Sequence, residues 1–365
     1  MARGEKRKLS IVAKTDKTEL SMADLARMAG TSKSTVSRVL SNSGQIGEEL
    51  RRRVMEVVRE TGYVPDPAAS ALARGKGRTT GFLHHAVALV FCREWGGLHA
   101  QWHEVHEGIL AEAAERRLTV PLCMVSVGDL TRPPIPANLK HVKADGLLVQ
   151  PVDGIDYSAL GKYAPVVVFG SMPFDGSFSM VGPDNRLGIS FLVRHLAGLG
   201  HRKLEYVATD LKRFPFRERR SIFLETAAEL NLQGSVAEPV RQATADYAAS
   251  LASKRADERP TALVAAEDVT AWRLVRALRA QGLRVPQDVS VTGFDGRVFE
   301  DEDDLNLTTW RVPWRDLGRT AIRMLLERIL DGMEANQTLM GGKLRIGDTT
   351  CSPRKEARQE LPAEK

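Results

Sequence analysis

The sequence predicts a small all-α module joined to an α/β body with parallel sheets, and three observations predict it. Positive charge is concentrated at the front: residues 1–80 hold 16 Lys/Arg against 9 Asp/Glu, while the rest of the 365-residue chain holds 36 against 37. Capped, helix-periodic segments fill residues 21–61. Beyond residue 80, short apolar runs alternate with amphipathic helices, the pattern of parallel sheets flanked by helices. The 43% hydrophobic content excludes a wholly disordered or fibrous chain. No apolar run approaches the roughly 20 residues that cross a bilayer. The start, MARGEKRKLSIVAKTDKTEL, lacks the apolar stretch and cleavage site of a secretory signal, so a cytoplasmic location is expected. Three scattered cysteines, Cys92, Cys123 and Cys351, fit a reducing compartment rather than a disulfide or zinc framework.

In the basic module, Ser21 and Asp24 form a capping box, and Leu25, Met28 and Ala29 give the first helix its apolar face. Gly30 ends it, as a tight helix–helix corner requires. Ser32 caps a second helix, Lys33 to Leu40, whose Val36, Val39 and Leu40 face inward. Lys33, Ser34, Ser37 and Arg38 share the opposite face. A short polar face ending in Arg suits a major-groove reader, because Arg forks onto guanine while Ser and Lys reach base edges or phosphates. A third helix, about Glu48 to Thr61, supplies Leu50, Val54, Val57 and Val58 to the core, with Arg51, Arg52 and Arg53 solvated or phosphate-facing. Asp66 and Pro67 then open a short AASALAR helix, too short to stand alone in water. A helix-turn-helix with double-stranded DNA as partner is the reading.

The stretch MADLARMAGTSKSTVSRVLSNSG, continued by GYVPDPAASALARGKGRTTG, resembles the DNA-binding headpiece and hinge of the lactose/galactose repressor (LacI/GalR) family. The resemblance implies that Lys33, Ser34 and Arg38 read bases, that Ser21 and Ser32 meet phosphates at helix starts, and that Leu72 wedges into the minor groove at the operator centre. Asp66 stands where many members carry Asn, and Gly47 where a Ser cap is usual.

In the body the strands HAVALVF, LTVPLCMV, DGLLVQ, APVVVFG, KLEYVA, TALVAA and DVSVTGF are expected, with helices at about 99–117, from VGPDNRLG to Leu199, near 217–231 and at 268–281. No GxGxxG or GxxxxGK[ST] loop is present. The segments VGPDNRLG, GLGHRKLEYV, RERRSIF, PTALVAAEDVTA and GLRVPQDVSVTGFDG resemble the same family. They imply a periplasmic-binding-protein-like core of two Rossmann-like subdomains with a sugar-like effector in the cleft between them. The effector residues so implied are Trp102, Asp184, Arg219, Glu267 and Asp295, an aromatic to cover a ring face and charged groups to fork onto hydroxyls. Bland readings stand beside them: Trp102 as interface core, Asp184 as a helix cap, Arg219 as a solvated charge and Asp295 as a turn residue. Glu267 replaces the family's Asn, exchanging an amide for an acceptor-only carboxylate. Ile222 and Arg273 replace usual glycines, and Pro133, Pro134 and Pro136 fall where most members have a long helix.

His99, His103 and His106 lie at i, i+4, i+7 near Glu107, but HEVH is not HExxH; no metal site is assigned, and cleft lining or a partner-facing surface is the reading. No GxSxG and no convincing nucleophile–base pair appear, so an enzyme is not expected, nor a cofactor. The expected division is a basic tail at 1–18, a DNA-binding domain at 19–64, a hinge at 65–80, an effector and dimerisation domain at 81–350, and a tail at 351–365. The reading is a homodimeric repressor on a near-palindromic operator. The alternative is a small-molecule sensor with a non-specific nucleic-acid anchor.

Overall fold

The structure, a computed structural model, describes residues 21–40, 46–61, 84–93, 100–128, 139, 142–155, 157–240, 243–299 and 305–354. The hinge with Leu72, the basic tail at 1–18, residues 355–365 of the C-terminal tail, His99 and the proline run at 133–136 lie outside the described residues. The chain divides into two compact units, Met1–Arg78 and Thr79–Lys365.

The first unit contains α1 (Met22–Met28), α2 (Lys33–Leu40) and α3 (Glu48–Thr61). Ser21 closes a capping box with Asp24, and Gly30, at φ +61, takes the left-handed turn that releases the chain towards α2. Ser32 Oγ accepts the amide of Thr35 at 3.1 Å and so caps α2. Leu25, Ala26, Ala29, Val36, Val39 and Val54 form the buried core, one apolar stripe from each helix.

The second unit holds two six-stranded sheets. The first lobe is built from β1 (Val87–Cys92), β2 (Leu122–Val125), β3 (Gly146–Val149), β4 (Val166–Phe169), β5 (Ser179–Pro183) and the late strand β11 (Gln337–Met340), in the order β11-β5-β4-β3-β1-β2 and parallel throughout. The second lobe is built from β6 (Lys203–Val207), β7 (Gln233–Val236), β8 (Ala262–Ala265), β9 (Ser290–Asp295), β10 (Thr308–Arg311) and β12 (Lys343–Arg345), ordered β12-β10-β9-β8-β6-β7, with β12 alone antiparallel. Fully buried, β-branched strands such as VALVFC and VVVF are what helix-covered parallel sheets require. The covering helices are α4 (Ala100–Glu115), the short α5 (Ser158–Gly161), α6 (Asn185–Leu199), α7 (Phe214–Glu229), α8 (Thr244–Ser253), α9 (Asp268–Ala280) and α10 (Trp314–Leu330).

The chain changes lobe three times: from β5 through α6 to β6, from β10 through α10 to β11, and from β11 to β12. On its return α10 crosses α4 at backbone contact. A Cβ on Gly108 would collide with the Arg315 carbonyl, and one on Gly318 with the Val105 carbonyl. Next to the crossing, the buried carboxylate of Glu112 receives Arg323 at 2.8 Å, Arg319 at 2.9 Å and Arg116 at 3.0 Å. Hydrogen bonding from Arg323, then from Arg116 and Arg319, holds its pKa down at about 2 against the opposing effect of burial.

Because the folded-state pKa lies below the unfolded one, this contribution is complete above about pH 4.5 and fades as pH falls towards 2. With Arg116 and Arg323 half-exposed and so partly screened, Glu112→Gln is expected to cost about 2 kcal/mol at pH 7. Urea denaturation at stepped pH should show the two proteins converging near pH 2; a gap as wide at pH 3 as at pH 7 would assign the clamp another origin.

Candidate functional site

Two surfaces gather the residues singled out by sequence. On the first unit, Lys33, Ser34 and Arg38 are exposed and Ser37 is half-buried, all on the side of α2 opposite Val36 and Val39. Ser21 and Ser32 sit exposed at the starts of α1 and α2, the helix ends whose amides favour anions. Ser32 Oγ also bonds Ser34 Oγ at 2.8 Å, so the first turn of α2 is ordered before anything docks. Arg52 of α3 is engaged with Glu49 at 2.9 Å rather than held towards this face.

The second surface is an interlobe cavity of about 60 Å³ at the carboxyl ends of both sheets, where parallel α/β folds place ligands. Trp102, Arg219, Glu267 and Asp295, four of the five cleft residues expected from sequence, line it together. The fifth, Asp184, does not. It caps α6 through the Leu187 amide at 2.8 Å and faces a separate groove between α6 and α7. Its role as a helix cap satisfies the carboxylate locally, which corrects its placement among the cleft residues.

Trp102 meets Phe169 edge-on, with centroids 5.6 Å apart, so its ring is both cavity wall and core lining. Arg219 is 4% exposed, far from the solvated charge its arginine-rich surroundings could imply. Its Nε donates to Asn185 Oδ1 at 2.8 Å and its Nη1 to the Ala266 carbonyl at 2.6 Å. The guanidinium lies 3.7 Å from the centroid of Phe294 and 3.8 Å from the Asp295 carboxylate. Asp295 ends β9 at φ 121, a conformation a non-glycine residue holds only when its surroundings impose it. Here Val312 N (3.2 Å) and Trp314 Nε1 (3.0 Å) both donate to its carbonyl. Burial drives the Asp295 carboxyl well above the usual carboxylate range, against the pull of Arg219. Asp268, fully buried beneath it and accepting from Thr309 Oγ1 at 2.6 Å and Arg297 N at 2.5 Å, is shifted upward for the same reason.

Sequence reasoning missed Asp153, Ser171, Arg213, Phe216 and Trp314, which line the wall together with Pro151, Gly170, Pro183 and Pro215. The available signal was position: Asp153 and Ser171 follow the carboxyl ends of β3 and β4. Among the described residues no group of three or more His, Cys, Asp or Glu side chains is placed to hold a metal. His103 lies 3.8 Å from Glu107, and His106 packs edge-on against Phe91 at 4.8 Å, with burial lowering its pKa. Cys92 and Cys123 are buried and form no disulfide. No described helix is long and apolar enough to cross a membrane.

Removing the Arg219 guanidinium would leave the Asn185 carbonyl oxygen, the Ala266 carbonyl and Asp295 without their buried donor. Arg219→Met is therefore expected to destabilise the second unit by roughly 3–5 kcal/mol, read by urea denaturation. A loss under about 1 kcal/mol would mean the side chain is held for a ligand and not for the fold.

Comparison with known proteins places these features. Residues 21–66 match the family described as bacterial regulatory proteins, lacI family, and residues 193–350 match a periplasmic binding protein-like domain. The chain is 28% identical over 320 residues to the HTH-type transcriptional repressor PurR of Aliivibrio salmonicida (strain LFI1238), spanning 84% of this chain and 92% of that protein. It is 27% identical over 332 residues to the ribose operon repressor of Haemophilus influenzae, spanning 87% and 95%. Its fold is similar to that of the lac repressor dimer bound to operator and the anti-inducer ONPF, with a TM-score of 0.71, 22% identity, and 92% and 100% of the two chains covered. It is also similar to the regulator CelR in complex with cellobiose, with a TM-score of 0.60, 23% identity, and 90% and 99% covered. Residues 21–66 thus carry a lacI-family helix-turn-helix in front of a two-lobed periplasmic-binding-protein-like core, the arrangement of the LacI-family DNA-binding transcriptional repressors that this chain resembles, which are not enzymes.

Proposed function

We propose that the protein is a cytoplasmic, homodimeric repressor that reads a near-palindromic operator and is controlled by a small carbohydrate-like effector in the interlobe cleft. The observation that carries the reading is the exposed face of α2, where Lys33, Ser34 and Arg38 stand together on a helix whose other side is locked into a core. An Arg at the end of such a face forks onto guanine, while Ser21 and Ser32 bring helix starts to flanking phosphates. Leu72, in the hinge, is assigned the minor-groove wedge at the operator centre.

The homodimer is supported by apolar residues left on the surface of the first lobe. Leu110 of α4 is 53% exposed, and Leu122 and Met124 of the edge strand β2 are 62% and 42% exposed. Two-fold pairing of the body presents two headpieces to DNA and so requires two half-sites. The effector reading rests on aromatics beside acids and arginines at the strand ends, the chemistry that covers a sugar ring and binds its hydroxyls. It is consistent with relatives described as a ribose operon repressor and a cellobiose-bound regulator. Effector and operator affinities are then reciprocally linked through the lobe arrangement.

Arg38→Ala is expected to weaken binding to the selected operator by roughly 1–3 kcal/mol and to relax base choice at one position per half-site, with binding to random duplex nearly unchanged. Equal losses on both DNAs, measured by fluorescence anisotropy at one salt concentration, would favour the alternative of a sensor carrying a non-specific nucleic-acid anchor.

A further inference from the structure

The N-terminus of α7, in the second lobe, is capped from the first lobe. Arg213, at the N-cap position, supplies no side-chain acceptor to the helix. The acceptor is Asp153, in the loop after β3, whose two carboxylate oxygens receive the Phe214 amide at 3.2 and 3.1 Å. That loop is itself fixed: the Val152 amide donates to the Tyr157 hydroxyl at 2.9 Å, and the hydroxyl donates to the Gln150 carbonyl at 3.2 Å. The ring of Phe214 reaches across to the other lobe, with only the Arg217 guanidinium of its own helix 5.9 Å from its centroid among the ring contacts described. It packs against the first lobe's apolar cluster, which contains Tyr157 and Phe178. A second bridge runs parallel to the first, from Ser171 Oγ through Asn185 Nδ2, at 2.9 Å, to Glu218 Oε2 of α7 at 2.5 Å.

These contacts close the cleft to about 60 Å³, whereas ligand pockets generally measure some 300–1,000 Å³. The cleft is thus shut by the chain's own groups to a space fit for a few waters and too small for a sugar ring. We propose that Asp153 is a positioning residue for regulation: by capping α7 from the opposite lobe while Phe214 docks beneath it, it holds the lobes closed without an effector, and an effector enters only as this latch is released. The proposal rests on the interlobe cleft being the regulatory site. It assigns to Asp153 and Phe214 the free-energy bias against which any ligand must act. Losing an N-cap shifts a two-state equilibrium by roughly two- to thirtyfold, enough to change which arrangement predominates when the two are nearly balanced.

The test needs neither effector nor DNA, so its outcome is separate from that of the functional reading. Trp102 and Trp314 line the cleft and report its opening through acrylamide quenching of tryptophan fluorescence in the full-length chain. A Trp272→Phe background removes a tryptophan that stacks on Phe299 away from the cleft wall. Asp153→Ala and, independently, Phe214→Ala are expected to raise the collisional quenching constant at least about twofold. Asp153→Asn, whose amide oxygen caps as well as a carboxylate does, should quench like the parent. Thermal denaturation of each variant verifies that the body is folded. Parent-like quenching in a folded Asp153→Ala would overturn the latch. So would Asn quenching as strongly as Ala, because the effect would then follow the charge and not the cap.

Discussion

The two-lobed body depends on one close approach, the crossing of α4 and α10 at Gly108 and Gly318. No side chain separates the helices there, and the backbone carbonyls of Arg315 and Val105 occupy the space a Cβ would need. α10 starts in the second lobe, with Trp314 bound to the end of β9, and finishes against the sheet of the first. Its seat on α4 therefore fixes how a segment leaving one lobe is received by the other. The charge cluster around Glu112 reinforces the crossing on one side: three guanidiniums from two helices converge on a single buried carboxylate.

The same crossing sets the cleft. Trp102 and Trp314 lie in the first turns of α4 and α10 and line a common cavity, so a slip of one helix along the other would separate them. Below them Arg219 acts as a hub. It ties the start of α6, the carboxyl end of β8 and the end of β9 into one polar network. Asp295 keeps its unfavourable φ because Val312 and Trp314 hold its carbonyl, which places the strain at the floor of the cavity where a ligand would contact it.

Much of the first unit was legible in sequence because its signals are local. Ser21, Gly30 and Ser32 cap or end helices within three residues of themselves, and the third helix runs over the expected span, Glu48 to Thr61. The apolar runs likewise disclosed β1, β3, β4 and β8, whose residues are buried on both faces. Other parts were hidden for physical reasons. The first turn of α7 lies ahead of the helix expected near 217–231 because Phe214-Pro215 carries no side-chain cap of its own; the cap comes from Asp153, about sixty residues upstream. Strands β11 and β12 are short and half-exposed, with no apolar run to announce them, and their division between lobes is a matter of topology. In the cleft, resemblance brought out Trp102, Arg219, Glu267 and Asp295. Arg213, Phe216 and Trp314 converge on them from helix starts without any shared motif. Asp184 was misplaced because one carboxylate beside Asn185 serves a helix cap as readily as a ligand.

The lacI-family match of residues 21–66 and the geometry of α2 support one proposal, that this chain recognises a defined DNA sequence as a symmetric dimer. Selection of bound duplexes from a random library at moderate salt tests it most directly. The account predicts enrichment of a palindrome with two half-sites, since a two-fold protein imposes its symmetry on the site it reads. Salt-sensitive retention of duplexes with no common motif would contradict it, leaving the first unit as an electrostatic anchor.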